Sequence, residues 1–137
     1  IWNQYDFDYE YALDVFIFQL NKIADFLDSD RAYTVSAKAN ASSIRRLIRL
    51  MKDVKDEKFL MEYHDRFKEK YGEVKIKYTP NGKYFTIEDE FPVIEGKTEE
   101  ELNKIYVDMM KESITKQEKA HKLVWKLLER HIRGWWD

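Results

Sequence analysis

The apolar residues of this chain recur mostly at helical spacing. Between about Asp6 and Leu27 they lie three and four residues apart, and the stripe is wide enough to contact two or more other elements. We therefore predict that this first helix is the central core helix. Narrower stripes predict a second helix over about Val35 to Lys55 and a third over about Glu57 to Tyr71. The third is expected to end at Gly72, because glycine commonly follows the last helical residue.

Residues 73–88 change to an alternating period, and this change predicts a β-hairpin. Apolar residues alternate with lysines up to Pro80-Asn81-Gly82, a segment typical of tight turns. A two-residue loop at Asn81-Gly82 pairs Tyr78 with Phe85, and this register gathers the apolar residues on one face. Because two isolated strands are marginally stable in water, we expect the hairpin to pack on a helix.

The last helix opens with a capping box, Thr98-Glu99-Glu100-Glu101. One apolar stripe then continues to about Arg133, which predicts a helix about 50 Å long, and Gly134 is expected to end it. Together these elements predict a mainly α fold: a three- to four-helix bundle with one β-hairpin and a long C-terminal helix. At 137 residues we expect a single domain over 1–137, with the hairpin as an insertion.

The composition excludes several classes of protein. With no Cys, the chain has no disulfides, thiolate metal sites or cysteine nucleophiles. Its longest apolar run, Val15-Phe16-Ile17-Phe18, is too short to span a bilayer, so no membrane partner is expected. The motifs G-x-S-x-G, G-x-x-x-x-G-K-[ST] and H-E-x-x-H are missing, which disfavours common hydrolases, kinases and zinc proteases. The first residue is Ile1, which leaves open whether residues precede it.

The formal net charge of −2 conceals a strong segregation of charge along the chain. The net charge is −6 over residues 1–30, +5 over 31–54, −4 over 73–110 and +4 over 111–133. The interpretation that we favour is that the basic helices pack beside the acidic first helix, with ion pairs at the rim. The alternative is a pocket in which Arg45, Arg49 and Lys52 bind a small anionic ligand. Since the chain is acidic overall, we do not expect extended nucleic acid as a partner.

Carboxylates and one histidine offer a weak alternative, a metal site. Asp6, Glu10 and Asp14 are spaced to share one face of the first helix. Glu118 and His121 form one of the two Glu-x-x-His pairs that a carboxylate-bridged di-metal bundle uses. The second pair is missing, so we predict no metal and no cofactor, and we interpret the acidic start as favourable to the helix dipole.

Two further features of the sequence each allow two interpretations. His121 and Gln117 lie in the apolar stripe of the last helix, either as a buried polar pair or as the floor of a ligand pocket. Trp135 and Trp136 near the C-terminus either pack near Trp2 as a latch or form a binding surface for a partner, since tryptophan is frequent at such surfaces.

The two ends of the chain also resemble a known group of sequences. The opening Tyr5-Asp6-Phe7-Asp8-Tyr9-Glu10-Tyr11, the step Tyr71-Gly72-Glu73 and the ending Ile132-Arg133-Gly134-Trp135-Trp136-Asp137 carry the resemblance. They resemble a family of small tailed-phage proteins with an acidic-aromatic first helix and a C-terminal I-x-x-W-W-D ending. The resemblance implies a phage accessory protein that acts in the cytoplasm of the host bacterium. It brings no catalytic residues with it.

Three hypotheses for function follow. The first is a non-enzymatic phage accessory protein that binds a host or phage protein, with inhibition of that protein left open. The second is the binding or sequestration of a small phosphorylated ligand, such as a nucleotide, by an Arg/aromatic pocket. The third is a carboxylate/His metal enzyme. The long last helix also offers a surface for association into a homo-oligomer.

Overall fold

The computed structural model describes residues 9–135, and over this range the fold is mainly α, as predicted. In chain order the elements are α1 (Tyr9–Asp28), α2 (Ala37–Lys55), α3 (Lys58–Tyr71), β1 (Lys75–Asn81), β2 (Tyr84–Glu90), α4 (Glu99–His131) and a 3₁₀ turn (Arg133–Trp135). No helix in this part of the chain combines the length and the apolar character that crossing a membrane requires.

The described residues divide into two compact units. Unit 1 contains α1, α2 and the part of α4 from Gln117 onward, with the 3₁₀ turn, whereas unit 2 runs from Phe59 to Lys116. The segment inserted between the two parts of unit 1 is therefore larger than the hairpin alone, because it also holds most of α3 and the first half of α4. The assignment of the whole chain to one domain stays a prediction.

In unit 1, α2 buries the apolar stripe that the sequence indicates. Its buried side chains recur at helical spacing: Ala37, Ala41, Ile44, Leu47, Ile48, Met51 and Val54. On α1 the buried stripe is Leu13, Ile17, Leu20, Ala24 and Leu27. The helix contacts α2, and Phe16 packs edge-on against Trp125 of α4, with ring centroids 5.8 Å apart.

The wide apolar surface of α1 is only partly buried, which differs from the prediction of a central core helix. Val15, Phe16, Phe18 and Phe26 remain substantially exposed. Among the described residues, α2 packs along one side of α1, and a wide stripe needs packing on more than one side to be buried throughout.

In unit 2, aromatic residues of α3 and α4 form the core. Phe67 is fully buried, and its ring centroid lies 5.0 Å from that of Tyr106 and 5.9 Å from that of Phe91. Both contacts are edge-to-face, the arrangement that aromatic quadrupoles favour. Val74 and Leu102 complete the buried cluster. Since Val74 precedes β1 and Phe91 follows β2, both ends of the hairpin are anchored in this core.

The helix ends in unit 2 agree with the sequence. Gly72 follows α3 with a φ of 104°, a conformation that side chains with a Cβ rarely adopt. The capping box forms as well: the Thr98 N–H donates to the Glu101 carboxylate at 2.9 Å, and the Glu101 N–H donates to the Thr98 hydroxyl at 3.2 Å. The α2–α3 boundary falls at Asp56 and Glu57, and Glu57 has a φ of 50°.

The hairpin is present, but it begins and ends two residues later than the predicted 73–88, and its register also differs. Tyr78 pairs with Ile87 and Pro80 with Phe85, so the predicted pair of Tyr78 with Phe85 is wrong. The two turn residues are Gly82 and Lys83, and Gly82 has a φ of 63°. The turn therefore places glycine first, as a type II′ geometry favours, rather than second. Because the shift is two residues along one strand, each side chain keeps its predicted face.

The hairpin contacts helices α3 and α4 at its base, through Val74 and Phe91, rather than through a face of its strands. Every residue of β1 and β2 is exposed, including the apolar ones. The physical reason is that the anchoring residues lie just outside the strands, at Val74 and Phe91, and these supply the buried contacts that the strands lack.

Candidate functional site

The basic residues of α2 are divided between ion pairs and open surface. Arg45 donates to Asp28 at 3.0 Å and to Asp25 at 3.3 Å, both on α1, and its hydrogen bond with Asp28 is the main cause that raises the pKa of Arg45. Lys55 donates to Asp14 at 2.7 Å, which likewise raises the pKa of Lys55. These contacts support the interpretation that basic α2 packs beside acidic α1 through rim ion pairs. Each exposed pair contributes little stability.

The three basic residues of the predicted anion site do not line the pocket that contains His121. Arg49 and Lys52 are exposed on α2, and Arg45 is engaged with α1. In unit 1, none of these three residues lines the pocket around Gln117 and His121 or the pocket beside Trp135.

The first pocket in unit 1 contains the predicted polar pair of α4. It has a volume of about 450 Å³ and is lined by Glu57, Gln117, Glu118, His121 and Lys122. The Gln117 amide donates to the Val54 carbonyl oxygen at 2.8 Å, whereas its own oxygen, Oε1, is buried without a hydrogen-bond partner. The Trp125 indole N–H donates to His121 Nε2 at 3.3 Å. With two carboxylates and one lysine, the pocket suits a ligand with N–H donors better than a phosphate.

The second pocket in unit 1 lies beside Trp135. It has a volume of about 390 Å³ and is lined by Ser43, Arg46, Leu47, Leu127, His131 and Trp135. The side chain of Trp135 is only 3% exposed. This burial favours packing over partner binding for Trp135. Its proposed neighbour Trp2 and the other predicted partner residue, Trp136, lie outside the described residues.

The carboxylates of the metal alternative lie on two helices. Glu10 and Asp14 are exposed on α1, with Asp14 bound to Lys55, whereas Glu118 and His121 lie on α4. Asp6 lies outside the described residues. Within residues 9–135 no three His, Asp or Glu side chains are close enough to hold a metal ion. The metal hypothesis therefore gains no support from this part of the chain.

The most prominent surface feature is one face of the hairpin in unit 2. Ile76, Tyr78, Phe85 and Ile87 lie on this face, and each is between 58% and 70% exposed. Pro80 and Asp89 share it, opposite Phe85 and Ile76 respectively. We call these six residues the apolar hairpin face. Aromatic side chains each carry roughly 150–250 Å² of surface, so the face exposes on the order of 500 Å² of apolar area, as large as the largest patch on a typical monomer.

The opposite face of the hairpin is polar. Its cross-strand pairs are Lys75 with Glu90, Lys77 with Glu88, Thr79 with Thr86 and Asn81 with Tyr84. Opposite charges directly across an antiparallel pair stabilise it modestly. The hairpin therefore has the amphipathic pattern of a sheet with one buried face, although its apolar face is exposed.

An acidic pocket begins at the base of the hairpin. It has a volume of about 840 Å³ and is lined by Glu88, Asp89, Phe91, Thr98, Glu99, Glu100 and Asn103. Four of these residues are carboxylates and none is basic. Asp89 belongs both to this pocket and to the apolar hairpin face, so the two are continuous.

The buried tyrosine behind this region is shielded from ionisation. Burial is the largest cause that raises the pKa of Tyr106, followed by its hydrogen bond with Tyr63, and the negative charge of Asp89 adds to it. Tyr106 also shares a hydrogen bond with His64 Nδ1 at 3.3 Å. At neutral pH the phenol is therefore protonated and acts as a structural donor or acceptor.

Comparison of the chain with models of protein families, with curated proteins and with solved structures finds no significant match. The alternating pattern predicts which residues share the apolar hairpin face. The pattern does not predict that this face is exposed, because the same alternation is typical of strands that pack on a core.

Proposed function

We propose that this protein is a non-enzymatic binding protein whose apolar hairpin face contacts a partner protein and thereby inhibits it. The resemblance to small tailed-phage proteins supports a phage accessory role, with a host or phage protein in the bacterial cytoplasm as the partner. The single observation that carries the proposal is the exposure of Ile76, Tyr78, Phe85 and Ile87 on one face.

The apolar hairpin face is costly to leave in water. Burial of apolar surface contributes about 25 cal/mol per Å², so covering on the order of 500 Å² offers a large favourable term to a partner. Such patches on monomers commonly mark interaction sites. Two of the four side chains, Tyr78 and Phe85, are aromatic, and aromatic residues are enriched at the core of protein–protein interfaces.

The experiment that tests the proposal uses two tyrosines on opposite faces of the hairpin. Tyr78 lies on the apolar face and Tyr84 on the polar face, and both are well exposed. Each is replaced in turn by a photoreactive benzophenone derivative of phenylalanine, and the variants are irradiated in bacterial lysate. Cross-linked species are identified by mass spectrometry.

We expect a defined cross-linked protein from position 78 and none from position 84. Adding Ile87→Ser to the position 78 variant should abolish the product, because Ile87 lies directly across from Tyr78. Equal products from the two positions, or no product from either, would contradict the proposal. Inhibition is then tested by adding the purified protein to an activity assay of the captured partner.

A further inference from the structure

The occupant of the apolar hairpin face can be narrowed by the charge that lies on it. Asp89 shares this face with the apolar residues, and its cross-strand neighbour is Ile76. No ion pair among the described residues involves Asp89, Glu99 or Glu100. A partner that covers the face must therefore either pair with the Asp89 carboxylate or leave a buried charge without a counter-ion, which is strongly unfavourable.

The acidic pocket beside the apolar hairpin face also favours a positively charged group on the partner. Glu88, Asp89, Glu99 and Glu100 line a volume of about 840 Å³ with no basic residue. That volume is large enough for one or two long side chains. A guanidinium or ammonium group entering it would gain from several carboxylates at once.

We propose, on the basis of the function proposed above, that the partner is a protein segment with aliphatic or aromatic residues followed by Arg or Lys. The apolar residues cover the apolar hairpin face, and the cationic side chains reach Asp89 and enter the acidic pocket. In an extended segment this requires apolar and then basic residues at alternate positions, because side chains two apart lie on the same side of a strand.

A second copy of this chain, joined face to face, fits less well. Two apolar hairpin faces together would bury on the order of 1,000 Å², the lower limit for a specific interface. Such a dimer would also enclose two Asp89 carboxylates. The acidic pocket likewise disfavours nucleic acid and anionic lipid surfaces, because both are negatively charged.

The test uses a fluorescent synthetic peptide with Val, Phe, Arg and Arg at alternate positions and Thr between them. One control peptide replaces both Arg by Glu, and another replaces Val and Phe by Ser. Binding to the full-length protein is measured by fluorescence anisotropy at low and high salt. We expect binding of the first peptide only, and weaker binding at high salt because exposed charge pairs are screened.

Variants of the protein locate the site. Phe85→Ser should weaken peptide binding by about tenfold, the effect of losing one buried aromatic contact. Its matched control is Tyr84→Ser, the adjacent aromatic on the polar face, which should bind as the wild type does. Circular dichroism of each variant confirms that it folds.

The contribution of the acidic pocket is tested in the same assay. Glu99→Gln with Glu100→Gln should weaken binding several-fold at low salt. Asp65→Asn with Glu69→Gln removes the same charge from exposed positions of α3 and should have no effect.

Four results would overturn the inference. Equal binding of the Arg and Glu peptides would remove the role of charge, and equal effects of Phe85→Ser and Tyr84→Ser would remove the role of the face. If no peptide binds while position 78 still cross-links a partner, the proposed function stands and the basic segment is wrong. If sedimentation shows a dimer that Phe85→Ser dissociates, the occupant is a second copy.

Discussion

The replacement of Trp135 by alanine distinguishes a core tryptophan from a partner-binding one. Trp135 is 3% exposed and lines a pocket with Leu47 of α2 and Leu127 of α4. Truncating a buried tryptophan typically costs about 3–5 kcal/mol, which includes the cavity that remains. Since small domains are stable by about 5–15 kcal/mol, this single change should remove about a fifth or more of the free energy of unfolding.

The free energy of unfolding is measured by urea denaturation followed by far-ultraviolet circular dichroism, because the substitution itself alters tryptophan fluorescence. The control is Tyr33→Ala, which truncates an aromatic side chain that is 95% exposed and should change stability by no more than about 0.5 kcal/mol. If Trp135→Ala also costs less than about 1 kcal/mol, the side chain does not stabilise the core. The partner-binding hypothesis for Trp135 would then regain support.

Three further predictions concern unit 2. Burial raises the pKa of Tyr106 above its ordinary value of 10.0, so its contribution to stability should be complete below pH 10.0 and decline as the pH rises toward the folded-state pKa. Urea unfolding midpoints of wild type and Tyr106→Phe, measured across this pH range, should show a smaller loss of stability at alkaline pH in the variant. Thr98→Ala removes the hydroxyl that caps α4 and should cost about 1 kcal/mol, measured by thermal unfolding against the exposed control Thr115→Ala. Gly72→Ala should lower the free energy of unfolding by about 1–2 kcal/mol, because the residue has a φ of 104° and its new Cβ would lie 3.4 Å from Pro92. Urea denaturation measures the loss, with Gly134→Ala as the control, since at Gly134 φ is not positive and no neighbour lies within 4 Å of the new Cβ.

The helices and their caps could be predicted from the sequence because they depend on local patterns. The buried stripe of α2 and the capping box at Thr98 each follow from residues three and four apart, and both are confirmed. Gly72 is likewise a local signal, since the end of α3 needs a residue that tolerates positive φ.

The hairpin register could not be predicted as reliably, because two registers that differ by two residues place every side chain on the same face. The choice between them rests on the turn. The prediction placed Asn81 and Gly82 in the loop, whereas Asn81 extends β1 and Gly82 and Lys83 make the turn. Alternation alone carries no signal that separates these registers.

The burial of particular residues depended on tertiary contacts that no local pattern specifies. Trp135 is buried because α2 and α4 both reach it, and Arg45 is paired because α1 brings Asp25 and Asp28 within hydrogen-bond distance. The apolar hairpin face is the opposite case, since its strands have the pattern of buried strands and remain exposed.

The residues that anchor the hairpin differ from those proposed to bind the partner, and this difference makes the proposed function testable. Val74 and Phe91, on either side of the strands, belong to the core around Phe67. Substitutions on the strands therefore leave these anchoring contacts in place. Exposed positions such as Phe85 usually change stability by about 0.5 kcal/mol or less, whereas the loss of a buried aromatic from an interface weakens binding about tenfold or more. A loss of binding in Phe85→Ser without a loss of stability therefore reports on the apolar hairpin face itself, and not on the fold that supports it.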